Sequence, residues 1–208
     1  MKKIVIIGAS SGIGAHLSYA LSKENALFLG ARRLDRVAHV AAHSSQQINW
    51  TRYATIDVSK EASVTRFFDT VAAEFKQPDA VVICAANQGP IGPFFDADPS
   101  QWWESVTGNL FGTFLCMKAA ANILPSGGRI VTFAGGGAFN SRPHFSAYAA
   151  AKAAIVRLTE TAAEELQPLG IAVNSVAPGF VITEMHKNTP AWHPQGKTVS
   201  IEVPVACI

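Results

Sequence analysis

Tyr148 and Lys152 stand four positions apart in a stretch with helical character, so both side chains project from one face. The pairing suits proton transfer. A free tyrosine ionises at about pH 10, too high for a general base at neutral pH, and a nearby ammonium favours the phenolate. Such a pair can exchange a proton with a carbonyl or alcohol oxygen.

A second constellation holds rather than reacts. Gly8-Ala9-Ser10-Ser11-Gly12-Ile13-Gly14 follows a short apolar run and opens a helical one. Glycines let the backbone approach a pyrophosphate, and a helix start offers N–H groups and a positive dipole end. Ser10 and Ser11 add hydroxyl donors. The spacing is G-x3-G-x-G. About 20 residues further on, where an NAD site places an acidic residue for the ribose 2′-hydroxyl, the chain reads Ala31-Arg32-Arg33. Guanidinium groups bind phosphate bidentately, so the implied cofactor is NADP(H) in preference to NAD. The competing reading makes both arginines ordinary surface residues and gives the acidic role to Asp35.

The elements that must position these residues alternate along the chain. Strands are expected over residues 3–7, 26–30, 53–56, 80–84, 129–134 and 171–176. Helices are expected over 12–23, 34–42, 61–75, 99–124 and 148–167. Strand–helix alternation predicts one α/β domain: a doubly wound, Rossmann-type parallel sheet in a three-layer αβα arrangement, binding ligands beyond the carboxyl ends of its strands. The domain is expected to occupy residues 1–183. Residues 184–208 form a short tail, with a loop over 185–197 and a half-buried strand over 198–205 that Pro204 confines to a sheet edge.

Composition narrows the function classes. Hydrophobic residues make up 49% of the 208, enough for a sizeable core, and charged residues only 15%. The shortage of charge suggests further buried surface, including a subunit contact. The net charge is +2 with no dense Lys/Arg block, so nucleic acid is not an expected partner. No apolar run approaches the ~20 residues of a membrane span. The apolar run at 4–7 is too short for a signal sequence. Cys84, Cys116 and Cys207 are far apart and odd in number, which suits a reducing cytoplasm. His39 and His43 have ligand-compatible spacing, but no third ligand accompanies them and no metal site is expected. Trp102, Trp103, Phe111 and Phe114 read as helix packing or subunit contact.

Taken in order, Gly8-x3-Gly12-x-Gly14, Asp57-Val58, Asn109, Tyr148-x3-Lys152, Asn174, Pro178-Gly179 and Thr183 resemble the motifs of the short-chain dehydrogenase/reductase family, over roughly residues 3–183. The resemblance implies hydride transfer between a nicotinamide and a small carbonyl or alcohol substrate. It makes Tyr148 the acid/base and gives Lys152 the nicotinamide ribose. Asn109 would hold a relay water. Asp57 would accept from the adenine amino group with Val58 beside the ring, and Ala85 would lie along the adenosine ribose. Val181 and Thr183, after Pro178-Gly179, would contact the carboxamide and pyrophosphate. The resemblance further implies a homodimer through the helices bearing Asn109 and Tyr148.

Three departures stand out. Family members carry a serine about thirteen residues before the tyrosine, where it hydrogen-bonds the substrate oxygen. This chain has Gly135 there, with Ala134 beside it. Ser141, Ser146 or glycine N–H groups are the candidate substitutes, and a catalytically impaired or non-enzymatic cofactor-binding protein is the alternative reading. The family's Asn-Asn-Ala-Gly is replaced by Ile83-Cys84-Ala85-Ala86, with Asn87 out of register. Only 25 residues follow Thr183, so substrate specificity is the least predictable feature and a tetramer is doubtful.

Overall fold

The computed structural model describes residues 1–45, 50–179, 181 and 183–186. Strands β1 (Lys3–Ile7), β2 (Ala26–Ala31), β3 (Thr51–Thr55), β4 (Ala80–Ile83), β5 (Arg129–Phe133) and β6 (Ala172–Val176) form one parallel sheet in the order β3-β2-β1-β4-β5-β6. This is the expected doubly wound fold. The direction of winding reverses between β1 and β4, which opens a crevice at their carboxyl ends.

The strands are apolar on both faces because helices cover both. In β1, Val5 and Ile7 point into one core with Phe28, Phe67, Phe75 and Val81, while Ile4 and Ile6 point into the other with Leu17, Leu29, Val37 and Val82. Helix α3 (Glu61–Phe75) buries Val64, Phe67, Phe68, Val71 and Phe75 on the first face. Helices α1 (Gly12–Leu21) and α2 (Leu34–Ser44) cover the second through Leu17, Leu21, Val37 and Val40. Among the described residues, no helix is long and apolar enough to cross a membrane.

Three expectations change. The third strand begins at Thr51 rather than 53, because Thr51 pairs in register with Leu27. Its exposed polar side chains hid it from a hydrophobicity reading. The long helix over 99–124 is not continuous. Asp98 caps α4 (Pro99–Val106) by accepting from the Gln101 N–H at 2.9 Å. A π-helical turn then spans Thr107–Phe111 before α5 (Gly112–Ile123). A single wide turn keeps the same overall axis, so the periodicity barely registers it. Such turns occur most often at functional sites, and this one carries Asn109. The last described helix, α6 (Ser146–Leu166), starts two residues before the expected position. The strand expected over 198–205 lies outside the described residues, as does most of the loop before it.

Candidate active site

A cleft of about 420 Å³ lies at the switch point between β1 and β4. It brings together nearly every residue singled out from the sequence. Gly8, Ser10, Ser11, Gly12, Ile13 and Gly14 line one end, beside Arg32, Arg33, Asp57 and Val58. Ala85 and Thr183 stand against Gly8 and Gly12, and Pro178, Gly179, Val181, Tyr148 and Lys152 line the same cleft. Asn109 alone stands behind the wall, fully buried.

The glycine loop is built by close backbone approach. Gly8 has φ +88°, and a Cβ there would stand 2.5 Å from the Ala85 nitrogen. A Cβ on Gly14 would stand 2.4 Å from the Gly8 carbonyl oxygen. The first contact seats the end of β1 against the chain leaving β4, and the second presses the start of α1 onto the end of β1. No side chain caps the helix, so its leading N–H groups remain available to an anion.

Arg33 leaves the end of β2 and donates to Ser10 Oγ at 3.3 Å and Ser11 Oγ at 3.2 Å. Its guanidinium is thus held over the glycine loop. Glu184 faces the same group at 3.8 Å and accepts from Arg36 Nη1 at 2.6 Å, bringing the segment after β6 to the start of α2. Asp35 does not line this cleft; it lines an adjoining groove between α1 and α2 with His16, Tyr19 and His39, and that groove shares Ser10, Ser11 and Gly12 with the cleft. Burial pushes the Asp57 carboxyl up, but two hydrogen bonds from Ser59, with Arg32 and Lys60 nearby, hold it below its ordinary value. It is a carboxylate, able to accept.

Tyr148 and Lys152 share the inner face of α6, with Lys152 Nζ 5.5 Å from the Tyr148 ring centroid. Lys152 is buried and donates to the Phe133 carbonyl at 2.7 Å. Burial pulls its pKa down to about 8, opposed by Cys84. Cys84 itself, also on the cleft wall, is pushed up to about 12 by burial. The expected effect on the tyrosine is not the one this arrangement produces. Burial holds the Tyr148 hydroxyl above its ordinary value, and the cation that opposes this is Arg142, not Lys152. Lys152 Nζ is bonded to the Phe133 carbonyl, and an amine held down to about 8 has lost its charge over the range in which a tyrosine raised above its ordinary value ionises.

Asn109 is a bracket. Its Oδ1 accepts from the Asn87 N–H at 3.1 Å, and its Nδ2 donates to the carbonyls of Asn87 and Ser105 at 2.9 Å each. Ser105 Oγ donates to Asn87 Oδ1 at 3.0 Å. The π turn is therefore tied to the chain leaving β4, and Asn87 forms part of the cleft wall. The side chain of Asn109 bonds protein groups through both Oδ1 and Nδ2 and reaches the cleft wall through Asn87.

Gly135 stands where the register places it. A Cβ there would be 3.4 Å from Tyr148 Oη, so this position faces the tyrosine hydroxyl and supplies no hydroxyl of its own. Ser141 lines the cleft, whereas Ser146 Oγ accepts from Trp102 Nε1 at 3.1 Å and does not line it. Sequence reasoning missed Arg142. No spacing rule flags it; its only signal was membership of the loop that leads to Tyr148. Among the described residues no group of three His, Cys, Asp or Glu side chains could hold a metal.

A family model described as short chain dehydrogenase matches residues 2–194. Cis-4-hydroxycyclohexanecarboxylate dehydrogenase of Sinomonas cyclohexanicum is 33% identical over 192 residues, covering 90% of this chain and 76% of that protein. NAD+-bound xylitol dehydrogenase superposes with a TM-score of 0.85 at 29% identity, covering 87% of this chain and 71% of that one. An alcohol dehydrogenase from Thermococcus sibiricus, complexed with 5-hydroxy-NADP, gives 0.81 at 30% identity over 87% and 77%. With the parallel sheet, the glycine loop and the Tyr148/Lys152 pair arranged as above, these likenesses establish that the chain belongs to the short-chain dehydrogenase/reductase family of oxidoreductases.

Proposed function

We propose that this protein is an NADP(H)-dependent oxidoreductase that interconverts a carbonyl and an alcohol on a small-molecule substrate. The observation that carries the reading is one cleft holding the helix-start anion site, Arg33 and the Tyr148/Lys152 pair together. The residues fit a dinucleotide: tight glycines leave room for a pyrophosphate, and the Arg33 guanidinium held over the loop supports a contact to a ribose 2′-phosphate. When bound, the nicotinamide supplies or accepts the hydride.

The chain's own part is proton handling and placement. In reduction, Tyr148 Oη donates its proton to the substrate oxygen. Lys152, anchored by Phe133, presents its remaining N–H groups to the ribose side of the cleft. Asn109 fixes Asn87 and through it the wall opposite Gly135. Asp57 and Val58 offer an acceptor and an apolar face to an adenine, with Ala85 toward its ribose. Pro178, Gly179, Val181 and Thr183 flank the nicotinamide end.

A homodimer through α4, α5 and α6 accounts for the exposure of Trp103, Phe111 and Phe114 on one helical run. Cys84 and Cys116 are free thiols, which is compatible with a reducing cytoplasm. Gly135 favours one second reading, a protein that binds the cofactor without turnover, because loss of a donor to the reacting oxygen commonly costs about 10²–10³ in rate. NADPH titration combined with an oxidation screen over ketones and aldehydes separates them. Tight binding with turnover supports the enzyme, and tight binding with none across the screen supports the second reading. Absence of NADPH binding contradicts both.

A further inference from the structure

Beyond the glycine run, Arg142 lines the substrate end of the cleft with Ser141, Gly135–Gly137 and Tyr148. Its guanidinium carbon lies 4.3 Å from the Phe145 ring centroid and 5.2 Å from that of Tyr148. Both rings are anchored in the fold: Phe145 is buried and precedes α6, and Tyr148 sits on its first turn. Two aromatic faces therefore hold the planar cation in place. The small residues before it are part of the arrangement, because a Cβ on Gly137 would stand 3.5 Å from Arg142 Cδ. Among the described residues no carboxylate pairs with Arg142, although Arg33 and Arg36 at the other end both face Glu184.

A half-buried, prepositioned guanidinium without an acidic partner, beside the reacting hydroxyl, matches the chemistry of an anion-binding group. We propose that Arg142 binds a carboxylate on the substrate, making this protein selective for oxo acids and the corresponding hydroxy acids. This rests on the oxidoreductase reading above and names its substrate class. The guanidinium packs on the ring that carries the hydroxyl, so a carboxylate held on it at about 2.8 Å and a carbonyl held on Tyr148 belong to one short substrate, which points to 2-oxo and 3-oxo acids. The bidentate pair also supplies orientation, so the substrate needs less from the position where Gly135 carries no hydroxyl. In the reduction, the carbonyl carbon takes the hydride, its oxygen takes the Tyr148 proton, NADPH is oxidised to NADP+, and the carboxylate is unchanged.

The test compares 2-oxobutanoate and acetoacetate with their methyl esters. Steady-state NADPH oxidation and calorimetric binding to the NADP+-saturated protein are measured for wild type, R142Q and R142K, each checked for an unchanged melting temperature. The expected result is at least a tenfold preference for acid over ester in kcat/KM and in Kd. R142Q reduces that preference below about threefold, and R142K, which keeps charge but loses the fork, falls between. Equal treatment of acid and ester by wild type overturns the proposal, as does a preference that survives in R142Q, even if neutral ketones are reduced. Failure of every acid to bind overturns it too. Acid binding that depends on Arg142 without any NADPH consumption upholds the carboxylate site and overturns the oxidoreductase reading instead.

Discussion

Replacing Gly135 with serine restores a hydroxyl beside the reacting oxygen, and the structure shows why it can be accommodated. The backbone at Gly135 has φ 164° and ψ 173°, an extended conformation open to any residue. The new Cβ meets only Tyr148, at 3.4 Å from Oη and 4.0 Å from Cε1. Serine Oγ, one bond further out, can reach a substrate oxygen held on Tyr148. A donor aimed at developing oxyanion charge commonly contributes about 10²–10³ in rate. Some of that is offset here, because Oγ can also bond Tyr148 itself. Gly135→Ser is therefore expected to raise kcat for a neutral ketone by about 10- to 100-fold, with KM changed much less, since the gain belongs to the transition state. Its stability should hold or rise slightly, because serine restricts the unfolded chain more than glycine does. The assay is steady-state NADPH oxidation with thermal unfolding in parallel. An unchanged kcat in a folded variant that still binds NADPH would refute the assignment of position 135 to the reacting oxygen.

Three further outcomes follow from the geometry. The double variant Arg32→Ala/Arg33→Ala should weaken NADPH by about tenfold or more in titration and leave NADH within about threefold, because in the proposed binding mode only the 2′-phosphate uses the guanidinium over the loop. Gly14→Ala gains helix propensity of up to about 1 kcal/mol, but a Cβ 2.4 Å from a backbone carbonyl cannot be relieved by a rotamer change. The clash should dominate, lowering stability by about 1–3 kcal/mol in urea unfolding and abolishing tight NADPH binding. Lys152 ionises at about 8 in the fold against 10.5 when unfolded, so the unfolded chain binds more protons between those values. Its burial penalty is fully present below pH 8, about 3 kcal/mol, and is relieved as pH rises toward 10.5. The stability difference between wild type and Lys152→Met should therefore shift in favour of wild type by about 2 kcal/mol from pH 7 to pH 10. A pH-independent difference in urea unfolding would contradict the depressed ionisation.

Where the sequence pattern was strong, the fold could be read directly. The range 61–75 appears unchanged as α3 because Val64, Phe67, Phe68 and Val71 mark one buried face. The apolar run of β1 likewise survives intact. The glycine loop was legible because its spacing reflects backbone contacts that no other residue permits. The π turn at Thr107–Phe111 was not, since one widened turn inside an apolar helical run leaves the periodicity nearly unaltered. Arg142 was hidden for a different reason. Its role depends on a loop folding back over Tyr148, and nothing in its neighbours' types encodes that return. The Tyr148/Lys152 spacing correctly placed both groups on one face, but it could not show that Lys152 would turn to the Phe133 carbonyl.

The central claim is that Tyr148 transfers the proton in a reaction coupled to NADPH oxidation. Single-turnover stopped-flow absorbance of the NADPH-loaded protein, wild type against Tyr148→Phe, tests it most directly, using a substrate that wild type reduces. The phenylalanine keeps the ring that packs beside Arg142 and removes only the hydroxyl. The account predicts a fall of about 10² or more in the rate of NADPH consumption with NADPH affinity unchanged within about twofold. Equal rates for the two proteins would contradict it.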